Sequence, residues 1–510
     1  MRPLRIFLFG LSVVTVLSII SVIFQYVKPN INGYSIKFPS FSGSIDTPKP
    51  KYKDISHIII LSNSLTDSIK PYTKKDTTKS KSNKSVIEGS PNHVKADSLR
   101  MIYHKIEFPS NSDTVLFPFF EEIGYMVNSK KLIRVLHYGD SQIEGDRITS
   151  YLRNQLQARF GGSGIGLFPI LAPNPASISY AYDISDNWKK FSPLTGAAED
   201  NPNHRYGVLV NFARINQGNS FFTKDKELNG WINLKYPNIS YPLAQQSEQF
   251  RIFYGFNKAP MMVELVQNKL VIDAEIVPPS ASLQELRWKI ASPRNIQISF
   301  KTTSSPEVYG LSLDAGHGLA VDNIPLRGSS GLEFTKMNLT FLSDFYRKLN
   351  VKLVILQFGV NVVPSLATNY EYYEKLFYKQ LLALKQTVPN LPILVIGVSD
   401  MSRNGENGYE SYPNIEKIRD AQKRASFAAG CAFWDIFEAM GGRNSMPSWV
   451  FANPPLAQKD FVHFNPVGAK IIGEMFYRSF IFEYERYLVV KQKDPNVAYS
   501  KIANSSSISN

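Results

Sequence analysis

Two short motifs in this sequence carry residues that together could form a hydrolytic triad. Gly139-Asp140-Ser141 places a hydroxyl after the apolar run Leu132–Leu136, a pattern typical of a strand that ends in a turn. Asp460 and His463 are three residues apart, so the carboxylate can accept from one imidazole nitrogen while the other faces a serine. These residue types predict Ser141 as nucleophile, His463 as general base and Asp460 as the group that orients the base.

Each motif alone also has an ordinary structural explanation. Asp140 or Ser141 could simply cap the helix predicted after the turn, and Asp460 with His463 could be a surface pair. The interpretation as a catalytic site therefore depends on whether other parts of the chain supply the oxyanion donors that acyl transfer requires.

Two further blocks are candidates for these donors. Gly359-Val360-Asn361 comes soon after the predicted strand Leu353–Leu356, and the carboxyl ends of strands are where α/β sheets usually form their sites. The Asn361 amide could donate to an oxyanion together with the backbone N–H of Ser141. Gly328 offers a flexible backbone N–H for the same purpose. An ordinary turn residue is the alternative for both Gly328 and Asn361.

In this order, the Ser, Gly, Asn and Asp-x-x-His blocks resemble those of the SGNH (GDSL-like) hydrolase family. The sequence is similar in particular to the bacterial peptidoglycan O-acetylesterase branch, over residues 115–485 approximately. One departure is Val362, directly after Asn361, where many family members have an acidic or polar residue. The segments that carry the closer similarity are His137–Asp146, Gly161–Pro169, Phe433–Asp435, Ala439–Gly442 and Ser445–Pro447.

The resemblance implies an α/β fold, a three-layer α/β/α sandwich with a carbohydrate-module-like β-sandwich inserted between the Ser and Gly blocks. It implies a serine esterase that removes O-acetyl groups from cell-wall glycan, without a metal or cofactor. Carried over by position, Ser141, His463 and Asp460 would be the triad. Gly328 and Asn361 would join the Ser141 amide in the oxyanion hole.

The hydropathy pattern divides the chain into an α/β part with an insertion. Residues 99–171 and 301–490 combine strand-like runs with helical spacing and are expected to form the two parts of the hydrolase domain. Between them, residues 172–300 show short alternating runs, which predict the β-sandwich. Helices are predicted over Phe117–Ser129, Arg147–Phe160, Tyr370–Gln386, Ile415–Ala429 and from Pro466 onward.

The predicted insert carries aromatic side chains that suit sugar stacking or core packing. Core packing is the expected role for most of them. Because the proposed catalytic residues all lie outside the insert, we expect it to govern polymer recognition and to leave small-ester chemistry largely unaffected. The aromatic residues concerned are Tyr180, Tyr182, Trp188, Trp231, Tyr236, Tyr241 and Tyr254.

The N-terminal segment has the composition of a membrane anchor followed by a tether. Ile6–Val27 contains no charged residue and follows two arginines, so residues 1–27 are predicted to be a signal anchor or transmembrane helix, with a cleaved signal peptide as the alternative. Residues 28–98 are predicted to be a flexible polar linker, although Ile58–Leu61 could form a strand. Residues 491–510 are predicted to be a disordered tail. The expected location is the cell envelope, with the catalytic domain outside the cytoplasm, in the periplasm if the cell is Gram-negative.

Charge and cysteine content exclude several other classes of protein. Of the formal charge of +14, most lies in residues 1–105, which hold 16 Lys and Arg against 6 Asp and Glu; 41 and 37 lie in the remainder. A nucleic-acid domain would cluster its cations on a folded face, so no nucleic-acid partner is expected. Cys431 is the only cysteine, which excludes an internal disulfide and a zinc site built from several cysteines.

Two other functions fit parts of the same pattern. An O-acyltransferase that acts on an envelope polysaccharide would use the same triad, and a membrane anchor would bring it close to an acyl donor. A non-catalytic glycan-binding protein could keep the fold, but no catalytic position is lost here. An esterase acting on an acetylated glycan is the interpretation we carry forward.

Overall fold

The computed structural model describes residues 3–27, 30–31, 34–35, 52–59, 104–110, 112–174, 176–194, 201–216, 227–290 and 294–494. By its internal contacts the chain divides into two units. One comprises Met1–Tyr52 with Glu406–Gly408, and the other comprises Lys53–Gly405 with Tyr409–Asn510.

The smaller unit contains helix α1 and a short antiparallel pair of strands. Helix α1 spans Pro3–Val27, and the strands are β1 (Asn30–Ile31) and β2 (Tyr34–Ser35). Within the described part of the chain, no helix combines the length and hydropathy needed to cross a bilayer. The membrane anchor over residues 1–27 therefore stays a prediction.

A five-stranded parallel sheet forms the centre of the α/β part of the larger unit, with strand order β15-β3-β16-β17-β20. Its strands are almost entirely buried, as expected for a parallel sheet covered on both faces. Their bounds are β3 (Leu132–Gly139), β15 (Gly318–Pro325), β16 (Val351–Gln357), β17 (Ile393–Ile396) and β20 (Ala432–Trp434).

Two separate apolar cores lie on the two faces of this sheet. Ile133 and Val135 of β3 belong to one core, and Leu136 and Tyr138 to the other, because successive side chains of a strand point to opposite faces. Helices cover both faces, so the predicted α/β arrangement with a parallel sheet is confirmed. The helices are α2 (Phe117–Ser129), α3 (Thr149–Phe160), α4 (Leu339–Leu349), α5 (Glu371–Lys385), α6 (Ile415–Ala428), α7 (Ile436–Ala439), α8 (Ser445–Phe451) and α9 (Pro466–Lys493).

Two antiparallel sheets form a β-sandwich between α3 and β15. One sheet has the order β11-β10-β13-β8-β5, and the other the order β12-β9-β14-β7-β6, with β4 also paired to β14. The strands are β4 (Gly166–Phe168), β5 (Ala181–Ile184), β6 (Trp188–Phe191), β7 (Phe212–Ile215), β8 (Leu228–Lys235), β9 (Gln249–Asn257), β10 (Met261–Gln267), β11 (Leu270–Val277), β12 (Ser280–Lys289), β13 (Ile296–Thr302) and β14 (Glu307–Asp314).

Most aromatic side chains of the sandwich are core residues. Tyr180, Tyr182, Trp188 and Tyr254 are buried, and Tyr236 and Tyr241 pack against the same core. Trp231 is the exposed member of the set. The strands of the sandwich extend from 166 to 314, a wider span than the predicted insert at 172–300.

Three local predictions need adjustment. Helix α3 begins at Thr149 rather than Arg147, because a short 3-10 turn at Glu144–Asp146 comes first. Residues 56–59 form a helical turn instead of the start of a strand, and Ile55 and Ile58, three residues apart, are both buried in the hydrolase core. Helix α9 continues to Lys493, and 495–510 lie outside the described residues.

A buried ion cluster joins the parallel sheet to the sandwich. Arg134 on β3 donates to Asp322 on the neighbouring strand β15 and to Asp314 on strand β14 of the sandwich, both at 2.6 Å. All three side chains are inaccessible to solvent. Asp322 also accepts from the backbone N–H of Leu167 at 2.8 Å. A Cβ at Gly166 would overlap the Asp322 carboxylate, so strand β4 can lie this close to Asp322 only because residue 166 is glycine.

Replacing Arg134 by Met should destabilise the folded protein by about 3–5 kcal/mol at pH 7, because buried Asp322 loses its cation and Asp314 keeps only Arg251, at 3.5 Å. Burial already raises the pKa of Asp322, although Arg134 opposes the shift. Without Arg134 the folded-state pKa of Asp322 rises further above its unfolded value, so the folded state binds the proton more tightly. The loss of stability should therefore be largest at neutral pH and smaller near pH 5, as measured by denaturant unfolding.

Arg159→Met is the matched control, because Arg159 pairs with Glu485 at 3.3 Å on the surface. Such exposed pairs contribute at most about 1 kcal/mol, so the control should unfold close to the wild type. If Arg134→Met is as stable as the control at pH 7, the buried cluster does not hold the sheet and the sandwich together.

Candidate active site

The nucleophile candidate lies in a tight turn at the carboxyl end of β3. Gly139 is the last residue of the strand, and a Cβ there would lie 2.8 Å from the Gln357 carbonyl oxygen and 2.9 Å from Ile143. The glycine lets the chain turn close against β16. The backbone N–H of Asp140 then donates to Gln357 O at 3.1 Å, which places Ser141 just beyond the edge of the sheet.

Ser141, His463 and Asp460 form one continuous chain of hydrogen bonds. The Ser141 Oγ to His463 Nε2 distance is 2.7 Å, and the His463 Nδ1 to Asp460 Oδ2 distance is also 2.7 Å. The structure thus brings together the three residues that the sequence placed in a triad. An imidazole held in this way can take a proton from the serine at Nε2 while Nδ1–H stays paired with the carboxylate.

Backbone geometry holds Asp460 in its ionised form. Its second oxygen, Oδ1, accepts from the backbone N–H groups of Val462 and His463, each at 3.0 Å. Burial acts to raise the pKa of Asp460, but the hydrogen bonds from the His463 ring and these two N–H groups outweigh it and lower the pKa to about 2. A carboxylate at neutral pH is the form that can orient His463.

Helix α9 fixes the chain directly after His463. Its N-cap, Asn465, accepts from the backbone N–H groups of Val467 and Gly468, each at 3.0 Å. These hydrogen bonds stabilise the first turn of the helix and fix the chain that enters it. The histidine therefore lies two residues before a rigid element.

The carboxylate of Asp140 joins the serine turn to the loop after β16. It accepts from the N–H of Gln142 at 3.0 Å, from Gly359 at 3.0 Å and from Val360 at 3.3 Å. Burial raises the pKa of Asp140 to about 6, although these backbone donors act to lower it. The role of Asp140 in the structure is therefore to cross-link two loops.

The two residues predicted for the oxyanion hole lie at the same edge of the sheet as Ser141. Strands β15, β3 and β16 end in register at Pro325, Gly139 and Gln357, and Gly328, Ser141 and Asn361 follow them. The Asn361 amide donates to Ser329 O at 2.8 Å, which ties the Gly328 loop to the Asn361 loop. Their roles as oxyanion donors stay predictions.

Gly359 is the residue that lets the Asn361 loop take this path. Its φ is +137°, and a Cβ there would lie 2.7 Å from the Cβ of Val398. Both the backbone conformation and the close packing require glycine. Gly328 differs from Gly359. Its φ is also positive, at +81°, but no atom lies near the position that a Cβ would occupy there.

Two polar residues that the sequence did not single out clamp the histidine segment. Gln142 Nε2 donates to Val462 O at 2.7 Å and to Ser399 Oγ at 2.9 Å. Arg147 donates to Phe464 O at 3.3 Å and also to the carbonyl oxygen of Ser141. The carbonyls on both sides of His463 are thereby tied to the serine turn. The signals in the sequence were the nearness of both residues to Ser141 and the position of Gln142 in the similar segment His137–Asp146.

A cavity of about 620 Å³ opens over the serine and histidine. Its rim carries the ion pair between Arg327 and Glu144. The sandwich supplies part of the wall, a contribution that the sequence did not indicate. The lining residues from the hydrolase part are Ser141, Glu144, Gly145, Arg147, Arg327, Gln458, His463 and Pro466, and those from the sandwich segment are Asn174, Ala176, Ser177, Ile178 and Ile239.

The described residues contain no group of three or more His, Cys, Asp and Glu side chains placed to hold a metal ion. The sequence-based expectation that no metal or cofactor takes part stays a prediction.

Comparison with solved structures identifies the fold. A peptidoglycan O-acetylesterase matches with a TM-score of 0.57 and 20% identity, over 72% of this chain and 96% of that one. An acetyl xylan esterase matches over 32% of this chain and 81% of its own, at 15% identity and a TM-score of 0.25. A salicylyl-acyltransferase from a tetracycline biosynthetic pathway matches over 62% and 96%, at 12% identity and a TM-score of 0.27.

The last two TM-scores are too low to add to the argument on the fold. No protein-family model and no curated protein matches the sequence. The match to the peptidoglycan O-acetylesterase is one alignment that covers most of both chains. This chain therefore shares the fold of that peptidoglycan O-acetylesterase structure.

Proposed function

We propose that this protein is a serine esterase that removes O-acetyl groups from an envelope glycan, with peptidoglycan as the first candidate substrate. The observation that carries the proposal is the hydrogen-bonded chain Ser141–His463–Asp460, with both distances at 2.7 Å. The named activity of the structural neighbour, a peptidoglycan O-acetylesterase, supports the choice of substrate. The fold alone would not do so, because one fold hosts many chemistries.

The geometry supports acyl transfer in two steps. His463 Nε2 takes the proton of Ser141 as Oγ attacks the acetyl carbonyl carbon, and the carbonyl oxygen becomes an oxyanion. The Ser141 N–H, the Gly328 N–H and the Asn361 amide are the proposed donors to it. The C–O bond to the glycan then breaks, and the glycan oxygen receives the proton from His463. The product of this step is acetyl-Ser141.

Water completes the reaction by the same route. His463 takes a proton from the water molecule as the water oxygen attacks the acetyl carbon. The bond between the acetyl carbon and Ser141 Oγ then breaks, and His463 returns the proton to Oγ. Acetate leaves and the free serine is restored. An acceptor hydroxyl in place of water would give an O-acyltransferase, so the fate of the acetyl group distinguishes the two activities.

The position of the cavity supports the proposal that the glycan binds there. The leaving oxygen must come within hydrogen-bond reach of His463 Nε2, because that nitrogen returns the proton to it. The cavity is lined by Ser141 and His463 together, so its walls face the leaving group. Ile178 and Ile239 of the sandwich segment then form an apolar wall for the saccharide.

Replacing Ser141 by Ala should abolish hydrolysis of a small aryl acetate, with a loss in kcat of more than about a hundredfold, because triad members act as a unit. Unfolding curves should match the wild type. The matched control is Ser282→Ala, a serine exposed on β12 of the sandwich, which should keep full activity.

Acetate release from O-acetylated peptidoglycan should be lost in parallel. A folded Ser141→Ala protein that retains more than half of its aryl esterase activity would remove Ser141 from the mechanism. Transfer of the acetyl group to a second glycan, without free acetate, would show a transferase.

Replacing Ile239 by Ser should lower kcat/KM on O-acetylated peptidoglycan about tenfold, because the saccharide loses an apolar contact. Activity on a small aryl acetate should stay within a few-fold, because a small leaving group reaches less of the wall. Leu270→Ser is the matched control, since Leu270 is also in the sandwich and both side chains are 70% exposed, but Leu270 does not line the cavity. Equal effects of Ile239→Ser and the control would rule out the proposed wall.

An envelope location with an anchor at residues 1–27 is part of the proposal. A chain that starts at residue 52 should keep its full kcat/KM on aryl acetate and move from the membrane fraction to the soluble fraction. A chain that starts at residue 99 should stay active but melt at a lower temperature, because it lacks the buried side chains of Ile55 and Ile58. A full-length protein found in the soluble cytoplasmic fraction would contradict the location.

A further inference from the structure

Three aromatic side chains form a cluster next to the catalytic histidine, which we call the aromatic platform: Tyr409, Phe451 and Phe461. Tyr409 and Phe461 are stacked, with ring centroids 3.5 Å apart and planes at 14°. The Phe451 ring lies 5.6 Å from Phe461 and 6.3 Å from Tyr409. Phe461 covers one face of Tyr409, and Tyr409 remains 36% exposed and Phe451 55% exposed.

The platform is connected to the catalytic cavity through a single turn of the chain. Gln458 and His463 line the cavity, and Phe461 lies between them in sequence. The turn is closed by hydrogen bonds from Gln458 N to His463 O at 2.8 Å and from Phe461 N to Gln458 O at 3.1 Å. His463 and the Phe461 ring of the platform are therefore held by the same hydrogen-bonded turn.

A buried hydrogen-bond network holds the elements that carry the platform rigidly in place. Tyr409 belongs to strand β19 (Gly408–Ser411), which pairs with β18 (Ser402–Gly405). Asp400 is inaccessible to solvent and accepts from Ser411 Oγ at 2.5 Å and from the backbone N–H of Met446, at the start of α8, at 2.8 Å. The same carboxylate therefore fixes the strand that carries Tyr409 and the helix that carries Phe451.

The loop that carries Phe461 and His463 is hydrogen-bonded to strand β18, and its backbone conformation at Phe461 is unusual. Ser402 N donates to Phe461 O at 3.0 Å. Phe461 has a φ of +58°, a region that bulky side chains rarely adopt and that costs on the order of 1–3 kcal/mol. The strained backbone turns the Phe461 ring under Tyr409. Rigid, partly exposed aromatic rings lose little conformational entropy when a ligand stacks on them.

We propose that Tyr409 and Phe451 form a saccharide-binding subsite beside the triad, on which a pyranose ring of the glycan stacks by its apolar face. This inference rests on the proposed function and adds a second contact surface to it. The sandwich wall at Ile239 and the platform are carried by different parts of the chain. A polymeric substrate can contact both, whereas a small ester occupies only the cavity.

The test compares two substrates in single and double variants. Tyr409→Ser and Phe451→Ser should each raise the KM for O-acetylated peptidoglycan fragments about tenfold, and the double variant should raise it further, with kcat unchanged at saturation. Hydrolysis of an aryl acetate should stay within about twofold. Tyr409→Phe keeps the ring and should behave as the wild type. The matched control is Tyr125→Ser on α2, where the tyrosine is 50% exposed.

Two outcomes would overturn the subsite. Equal losses on both substrates would show that the platform only positions His463, and an unchanged KM for the glycan in the double variant would show that it does not bind saccharide. Failure of the proposed function has a different signature. In that case the wild type itself would release no acetate from peptidoglycan while still hydrolysing the aryl ester.

Discussion

The active-site edge of this protein depends on one buried carboxylate. Asp140 accepts from three backbone N–H groups that belong to two different loops, and through them it holds the serine turn against the loop that carries Asn361. The interaction has an energetic cost. Because burial raises the pKa of Asp140 to about 6, its ionisation between pH 4 and 6 lowers the stability of the folded state, on the order of a few kcal/mol. This loss of stability accompanies an arrangement in which the Asp140 carboxylate holds three backbone N–H donors in place at the site.

The pKa of a second carboxylate at the site is shifted in the opposite direction. Asp460 is less deeply buried and receives hydrogen bonds from the His463 ring and from two backbone N–H groups, so its pKa falls to about 2. Two aspartates within one active-site edge therefore differ strongly in pKa, and each difference follows from local burial and donors. Asp460 contacts His463 directly. Asp140 acts only through the backbone.

The features that could be predicted from the sequence are those that depend on nearby residues. The strand before Ser141, the three-residue spacing of Asp460 and His463, and helix α5, observed at Glu371–Lys385, all follow local periodicity. The Arg134 cluster joins residues about 180 positions apart, and the wall at Ile239 depends on how the sandwich is placed; neither leaves a local pattern. The same applies to the aromatic platform, because Tyr409 and Phe461 meet only through the fold. The apolar run Ile58–Leu61 suggested a strand, but residues 56–59 form a helical turn in which Ile58 packs against the core, and residues 60 and 61 lie outside the described residues.

The insertion of the sandwich has a consequence for synthesis of the protein on the ribosome. Among the strands that the structure describes, β3, which leads to Ser141, pairs with β15 and β16, and both follow the sandwich in the chain. At translation rates of 5–20 residues per second, roughly 180 residues separate β3 from its first partner, a delay of about 10 to 40 s. During that time an apolar strand has both of its hydrogen-bonding edges open. Only three residues separate the last strand of the sandwich, β14, from β15, so Asp314, one of the two carboxylates that pair with Arg134, is synthesised just before the first partner strand of β3.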